Sequence, residues 1–285
     1  MPELPEVETV RAGLRPHVVG RRVTAAEVFH PRTSRNQLGG AAELVGRLVG
    51  RTIVEVQRRG KFLWLELDDD QSTVVHLGMS GQLRIGESPT VHRRATITLD
   101  DGTDIHFLDQ RTFGYIRVCD SEPDPFSSIV NAGRPLPSVI KHIAPDLLEV
   151  MAADALPQLA GTLRTKKSEI KRVLLNQNVV SGIGNIYADE MLWRAQLHPR
   201  RAADGLSQAE AEQLLAAGAD VLKESLAAGG TSFDALYVNV NGESGYFGRA
   251  LHAYGQKFCS RCGGEITAEK FMNRRSFYCA ACQPL

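Results

Sequence analysis

Residues 51–67, RTIVEVQRRGKFLWLEL, decide how the first part of this chain folds. Apolar and polar side chains alternate on both sides of RRG at 58–60, as they do in two strands that each bury one face. Similar alternation follows at residues 73–85 and 95–107, and the second stretch is broken by a turn, DDG, at 100–102. Short strands at this spacing predict a β-sandwich.

The rest of the chain divides by composition. Two helices are expected inside the β-rich part, at residues 9–16 and 41–48, whereas prolines and glycines accumulate at 121–145 and predict a linker. Helical patterns follow at residues 146–153, 167–175, 186–195 and 207–227, and Ser207 with Glu210 fits a capping box for the last of these. The predicted fold class is therefore α+β and multidomain. The predicted domains are a β-sandwich at 1–120, a linker at 121–145, a helical domain at 146–245 and a cysteine-containing hairpin at 246–285.

Length and charge restrict the class of protein. A chain of 285 residues with 43% hydrophobic and 23% charged residues is expected to bury two cores. No apolar run reaches the ~18 residues that span a bilayer, so a cytoplasmic protein without a membrane partner is expected. The net charge is zero, but residues 161–200 carry seven basic and three acidic side chains, and residues 246–285 carry six and two. Such local excesses can bind phosphates.

Four of the five cysteines have the spacing of a metal site. Cys259 and Cys262 form one C-x-x-C pair, Cys279 and Cys282 form another, and 16 residues separate them. This pattern predicts one structural zinc ion with four thiolate ligands. Redox pairs or unconnected core cysteines are the less favoured interpretation, and Cys119 is expected to be a buried thiol.

A glycine-rich loop, VVSGIGN at 179–185, lies between two predicted helices. Gly182 and Gly184 permit close approach of the backbone to a ligand, and the N-terminus of the next helix offers N–H donors to a phosphate. Lysines precede the loop at positions 166, 167 and 171. The arrangement fits a phosphate clamp, although such loops also simply join helices.

The N-terminus, MPELPEVE, carries the elements of a covalent catalyst. Removal of Met1 exposes the secondary amine of Pro2, and an α-amino group titrates near pH ~8. Such an amine attacks an aldehyde-like carbon to form an iminium, and the neighbouring Glu3 can supply a proton. The plainer interpretation is a start codon followed by a rigid acidic leader.

Together these motifs resemble the bacterial formamidopyrimidine-DNA glycosylases, which remove 8-oxoguanine and ring-opened purines from DNA. The resemblance implies an N-terminal β-sandwich, a helix–two-turn–helix domain and a C-terminal four-cysteine zinc-finger hairpin. Besides the cysteines, the motifs that carry it are PELPEVE (2–8), RRGKFLWLEL (58–67), HLGMSGQL (76–83), DQRTFG (109–114), VVSGIGNIYADE (179–190) and NGESGYF (241–247).

The resemblance also implies the catalytic residues. Pro2 would attack C1′ of the damaged nucleotide, and Glu3 would protonate the sugar ring oxygen as the ring opens. Glu6 matches a second acid that holds the N-terminus. Lys61 matches a strand lysine associated with β-elimination and phosphate contact, and Arg274 matches a finger arginine credited with δ-elimination.

DNA contacts follow from the same resemblance. A base must be flipped out of the duplex to be excised, and Met79, Arg111 and Phe113 match the residues that fill the space it leaves. The zinc would be structural and hold the hairpin that directs Arg274 to DNA. The remaining positions that match DNA or lesion contacts, together with Arg111, are His92, Lys167, Lys171 and Asn185.

The favoured function is thus a bifunctional glycosylase and abasic-site lyase, a nucleoid-associated monomer whose partner is damaged double-stranded DNA. A glycosylase for oxidised pyrimidines and a non-catalytic DNA-damage binder are alternatives, whereas a zinc-ribbon module would explain only the last 30 or so residues. Three features depart from the family pattern and bear on lesion preference: Asn176, Thr112 and the capping loop at 231–244.

Overall fold

The 51–67 stretch forms the expected hairpin in the computed structural model. Strand β2 (Ile53–Arg59) pairs antiparallel with β3 (Phe62–Leu67). Arg59 is opposite Phe62, so Gly60 and Lys61 make a two-residue turn. The structure describes residues 2–87, 90–130, 135–231, 239–243 and 245–285.

Two antiparallel sheets build the N-terminal part. Their other strands are β1 (Val23–Val28), β4 (Gln71–His76), β5 (Gly81–Ile85), β6 (Arg93–Leu99), β7 (Asp104–Asp109), β8 (Tyr115–Pro123) and β9 (Pro135–Pro137). One sheet has the order β1-β6-β7-β5 and the other β2-β3-β4-β8-β9. Ile97 and Phe107 from the first share one buried hydrophobic cluster with Leu63 and Val75 from the second. Two sheets that share a core form the predicted sandwich.

Several elements differ from the prediction. Helix α1 (Leu4–Val18) begins well before residue 9, because Pro5 is compatible with a first helical turn. The second helix, α2 (Gly40–Leu48), lies where it was predicted. Strand β1 was missed, since only its first residue, Val23, is buried. Part of the predicted linker is sheet, because β8 continues to Pro123 and pairs with β9.

The C-terminal part is helical and ends in a hairpin. Its helices are α3 (Leu147–Ala152), α4 (Leu156–Arg164), α5 (Ile170–Leu174), α6 (Asn185–Arg194) and α7 (Gln208–Ala227), and its strands are β10 (Ile266–Phe271) and β11 (Arg274–Cys279). The Gln177 amide organises the loop between α5 and α6: it donates to the carbonyls of Leu175 and Ile183 and accepts the N–H of Gly182. Helix α4 was not predicted.

Packing divides the chain into two compact units. Met1–Pro125, Gly133–Lys141 and Ala228–Tyr246 form the N-terminal unit, and Phe126–Ala132, His142–Ala227 and Phe247–Leu285 form the C-terminal unit. The domain boundaries drawn from the sequence stay a prediction. Among the described residues, no helix is long and apolar enough to cross a membrane.

Candidate active site and nucleic-acid interface

Pro2 and Glu3 lie buried at the start of α1. Pro2 is buried and Glu3 is only 3% exposed. The Glu6 carboxylate folds back over this turn, where Oε2 accepts the N–H of Glu3 at 2.9 Å. Its Oε1 accepts both the N–H and the hydroxyl of Thr231, each at 2.8 Å. One carboxylate therefore ties the N-terminus to the beginning of the predicted capping loop, of which residues 232–238 and 244 lie outside the described residues.

Lys61 lies in the β2–β3 turn, yet it is only 9% exposed. The two preceding arginines both form ion pairs. Arg58 Nε lies 2.9 Å from Glu8 Oε2, and Arg59 donates to both oxygens of Asp124, at 3.0 and 2.6 Å. Burial alone would raise the pKa of Glu8, but hydrogen bonds from its arginine partners outweigh burial and lower it. Because Arg59 and Asp124 are both fully buried, their pair fixes the end of β2.

His76 was not selected from the sequence, although it opens the HLGMSGQL motif. It ends β4 opposite Phe62, the residue after Lys61, and it stacks on Tyr115 with ring centroids 5.3 Å apart. Its Nδ1 accepts the N–H of Gly78 at 3.2 Å. Burial, followed by the charges of neighbouring cations, lowers the pKa of His76 to about 4, so the ring is neutral at pH 7.

Met79, Arg111 and Phe113 lie on two loops whose backbones touch. A Cβ on Gly78 would lie 2.5 Å from the carbonyl carbon of Phe113 and from the amide nitrogen of Gly114. Gly78 also has φ of 63°, so this contact requires glycine. Met79 is half-buried, Phe113 is 42% exposed, and the Arg111 guanidinium lies 5.2 Å from the Phe113 ring centroid.

A buried carboxylate organises the β7–β8 loop (residues 110–114). Asp109 is fully buried and accepts hydrogen bonds from the Ser80 hydroxyl and, at 2.7 Å, from the N–H of Gly114. Ser80 Oγ in turn accepts the N–H of Arg111 at 2.9 Å. The exposed His92, with φ of 64°, accepts the N–H of Asp109 through its carbonyl. Sequence reasoning missed Asp109 and Ser80, because their partners become neighbours only through the strand pairing.

The three DNA contacts predicted in the C-terminal unit have different surroundings. Lys167 is exposed just before α5, and Asn185 opens α6 and donates through Nδ2 to the carbonyl of Arg275 at 2.8 Å. Lys171 is fully buried, and its Nζ lies 2.6 Å from Asp189 Oδ1. The charge of Lys171 is therefore used inside the unit.

Asp189 joins three elements. Besides Lys171 of α5, its carboxylate accepts the hydroxyl of Ser276 and the N–H of Phe277, both in β11 and both at 3.1 Å. Burial raises the pKa of Asp189 to about 7, against the lowering effect of Lys171. The hairpin that carries Arg274 is thereby bonded to the helix–two-turn–helix.

The four predicted cysteine ligands converge. The Sγ atoms of Cys259, Cys262, Cys279 and Cys282 all lie within 4.8 Å of one another. Trp193 Nε1 donates to Cys259 Sγ at 3.3 Å.

Arg274 and Arg275 open strand β11, and both are exposed. The turn before them, Met272 and Asn273, has φ of 46° and 62°. Among the predicted residues, Arg274 and Asn185 lie in the C-terminal unit, whereas Pro2, Glu3 and Lys61 lie in the N-terminal unit.

Family models match most of the chain. Residues 1–116 match the N-terminal domain of formamidopyrimidine-DNA glycosylase, and residues 143–236 match its H2TH domain. The formamidopyrimidine-DNA glycosylase of Corynebacterium glutamicum is 52% identical over 99% of both chains. That of Mycobacterium avium is 53% identical over 100% of this chain and 99% of its own.

Solved structures agree. The Fpg protein of Thermus thermophilus has a TM-score of 0.82 and 34% identity, over 99% of this chain and 98% of its own. Lactococcus lactis Fpg in complex with DNA that contains an abasic site has a TM-score of 0.83 and 31% identity, over 99% and 100%. With motifs, fold and sequence in agreement from end to end, the chain belongs to the formamidopyrimidine-DNA glycosylase family.

Proposed function

We propose that this DNA glycosylase excises oxidised purines, 8-oxoguanine and formamidopyrimidines, from duplex DNA and then cleaves the strand at the abasic site. The observation that carries the proposal is the Pro2–Glu3 pair at the buried start of α1, with Glu6 bonded to the backbone of Glu3. Once Met1 is removed, this arrangement would hold the Pro2 amine beside the carboxyl group of Glu3 in a buried site, where both groups are effective.

The proposed reaction begins with Met1 removed. The nitrogen lone pair of Pro2 attacks C1′, the glycosidic bond breaks, and the base leaves with the bonding electrons and a proton. The proton that the base takes up is the one that the proline nitrogen loses; the C1′–O4′ bond then opens, and Glu3 gives a proton to O4′ as the C1′=N⁺ iminium forms. Loss of a C2′ proton then expels the 3′ phosphate, and loss of a C4′ proton expels the 5′ phosphate.

Two cations support the eliminations in this proposal. Lys61 is nearly buried beside the neutral His76, and its ammonium group would stabilise a departing phosphate there. Arg274 at the tip of the finger hairpin would bind the second phosphate.

DNA binding is proposed to use both units. Met79, Arg111 and Phe113 would enter the stack where the damaged nucleotide leaves it, because the ring of Phe113 is exposed and the guanidinium lies beside it. Contacts with the DNA or the lesion would come from His92, Lys167 and Asn185, whereas the fully buried Lys171 would act through its pair with Asp189, which holds the hairpin.

The cysteine cluster fits one zinc ion. Tetrahedral coordination with Zn–S bonds of ~2.3 Å places the sulfurs about 3.8 Å apart. Cys259 and Cys282 have Sγ atoms 3.9 Å apart, and those of Cys262 and Cys279 are 3.5 Å apart. Four thiolates complete the coordination shell, so the ion would fix the hairpin that bears Arg274. We expect the protein to act as a monomer on chromosomal DNA.

The proposal is tested by borohydride reduction during reaction with a duplex that contains 8-oxoguanine opposite cytosine, followed by peptide mass spectrometry. We expect a covalent adduct on Pro2. Pro2→Gly, which replaces the secondary amine by a primary one, should slow trapping at least tenfold. Pro5→Ala, three residues away in the same turn, should trap like the wild type.

Each other outcome identifies an alternative. An adduct formed only with thymine glycol would indicate a pyrimidine-specific enzyme. Binding to every damaged duplex without any adduct would indicate a non-catalytic damage binder and would overturn the proposal.

A further inference from the structure

Arg35 lies just after the turn Pro31–Ser34, and its guanidinium is bonded to the β7–β8 loop. Nη1 donates to the carbonyl of Gly114 at 2.6 Å and to that of Arg32 at 2.7 Å. Nη2 donates to the carbonyl of Phe113 at 2.7 Å. The guanidinium carbon also lies 5.2 Å from the centroid of the Tyr115 ring.

These contacts suit arginine alone among the basic residues. The guanidinium is a rigid planar fork, so it can bond two consecutive carbonyls while it rests on an aromatic face. The ammonium of lysine is a single point and lacks this geometry. Arg35 thus couples the Pro31–Ser34 turn to Phe113 and Gly114, which are far along the chain.

The opposite side of the same loop is also held. Asp109 accepts the N–H of Gly114, and Ser80 accepts the N–H of Arg111. Arg35 supplies the bonds on the carbonyl side, so the backbone between Arg111 and Gly114 is held at its N–H groups and at its carbonyls. The side chains of Arg111 and Phe113 remain exposed on this backbone.

We infer that Arg35 is a positioning residue: before DNA is bound, it already holds the β7–β8 loop in the conformation in which the loop enters the DNA stack. This rests on the proposed function, in which Arg111 and Phe113 occupy the space left by the flipped nucleotide. A loop that is already ordered spends no binding energy on becoming ordered when the DNA bends. Arg35 therefore acts on base extrusion and not on the chemistry at C1′.

The test compares two substrates under single-turnover conditions. One is duplex DNA with 8-oxoguanine opposite cytosine, which requires extrusion, and the other is a single-stranded oligonucleotide with an abasic site, which does not. Arg35→Lys and Arg35→Met should slow excision from the duplex at least tenfold. Both should stay within twofold of the wild type in borohydride trapping on the single strand. Arg32→Gln, in the same turn and exposed, is the matched control and should change neither rate.

Amide hydrogen exchange of the free protein tests the positioning without any DNA. Peptides that cover residues 109–115 should exchange at least tenfold faster in Arg35→Met and unchanged in Arg32→Gln. If these peptides exchanged in Arg35→Met at the wild-type rate, the inference about Arg35 would be overturned, whatever the activity of the protein. If the wild type and all variants failed to cleave DNA, the proposed function would be refuted instead.

Two kinetic results would also overturn it. Equal losses on both substrates would assign Arg35 to general binding or chemistry. The other result is full activity of Arg35→Lys on the duplex, together with a salt dependence of DNA binding in Arg35→Met that is smaller by one phosphate contact. This result would show that Arg35 binds a DNA phosphate directly.

Discussion

A neutral histidine among cations makes the stability of the N-terminal unit depend on pH. The pKa of His76 falls from 6.5 to about 4, because of burial, then Lys61 and Arg35, with Asp109 opposing. Between pH ~6.5 and pH ~4, this side chain is protonated in the unfolded chain but stays neutral in the folded chain. Stability from this group is therefore complete above pH ~6.5 and is lost towards pH ~4.

We expect His76→Gln to remove about 2 kcal/mol of this pH dependence. The measurement is the free energy of unfolding in urea at pH 7, 5.5 and 4.5. His17→Gln, at an exposed position on α1, should leave the change of this free energy with pH as in the wild type. If the free energy of unfolding of His76→Gln changed with pH as much as that of the wild type, His76 would be protonated in the folded protein as readily as in the unfolded chain.

The roles of individual residues were predictable where the residues belong to one continuous sequence motif. Pro2, Glu3 and the four cysteines belong to such motifs. His76 and Asp109 were missed because their importance comes from partners on other strands, and the sequence does not state the register. Lys171 shows the converse: a lysine among other basic residues is usually exposed to solvent, but this one is buried because it pairs with Asp189 of the next helix.

At the scale of the element, helix α7 depends on its N-terminal cap. Ser207 and Glu210 form the predicted reciprocal box: Glu210 Oε2 accepts the N–H of Ser207 at 2.8 Å, and Ser207 Oγ accepts the N–H of Glu210 at 3.2 Å. Ser207→Ala should lower the free energy of unfolding of the C-terminal unit by about 1 kcal/mol, measured in urea. Ser207→Asp retains an acceptor and should recover most of that loss. Equal destabilisation by both would mean that the hydroxyl contributes through another contact.

Elements were predictable where their pattern was strong. The β2–β3 hairpin was predictable because apolar and polar residues alternate on both sides of RRG, although in the structure β3 buries three consecutive residues, Leu63, Trp64 and Leu65. Strand β1 has no such alternation, since it is buried only at Val23 and is held by its pairing with β6. Helix α4 has a proline in its first turn, and the sequence pattern treats proline as a break although the first turn accepts it.

At the scale of the whole molecule, the chain contains separate cores. The sandwich cluster includes Leu63 and Phe107, whereas Cys259, Cys279 and Trp193 belong to a cluster in the C-terminal unit. Thermal unfolding should accordingly show two transitions. Cys262→Ser should lose the metal and lower only the C-terminal transition, by roughly 10 °C or more.

Metal analysis and calorimetry check this prediction together. Cys119→Ser is the matched control, because Cys119 is buried in β8, outside the four-cysteine cluster. It should keep one zinc per chain and lower only the N-terminal transition. A single transition shifted by both variants would mean that the units unfold as one.

The contact between Trp193 and the finger has an optical consequence. The chain has two tryptophans, one in each unit: Trp64 in strand β3 and Trp193 in helix α6. Sulfur close to an indole quenches its emission, and Trp193 Nε1 lies 3.3 Å from Cys259 Sγ. Replacing one tryptophan at a time therefore provides a separate fluorescence signal from each unit without a dye. In Trp64→Phe, the remaining emission would follow metal loading and hairpin opening in real time.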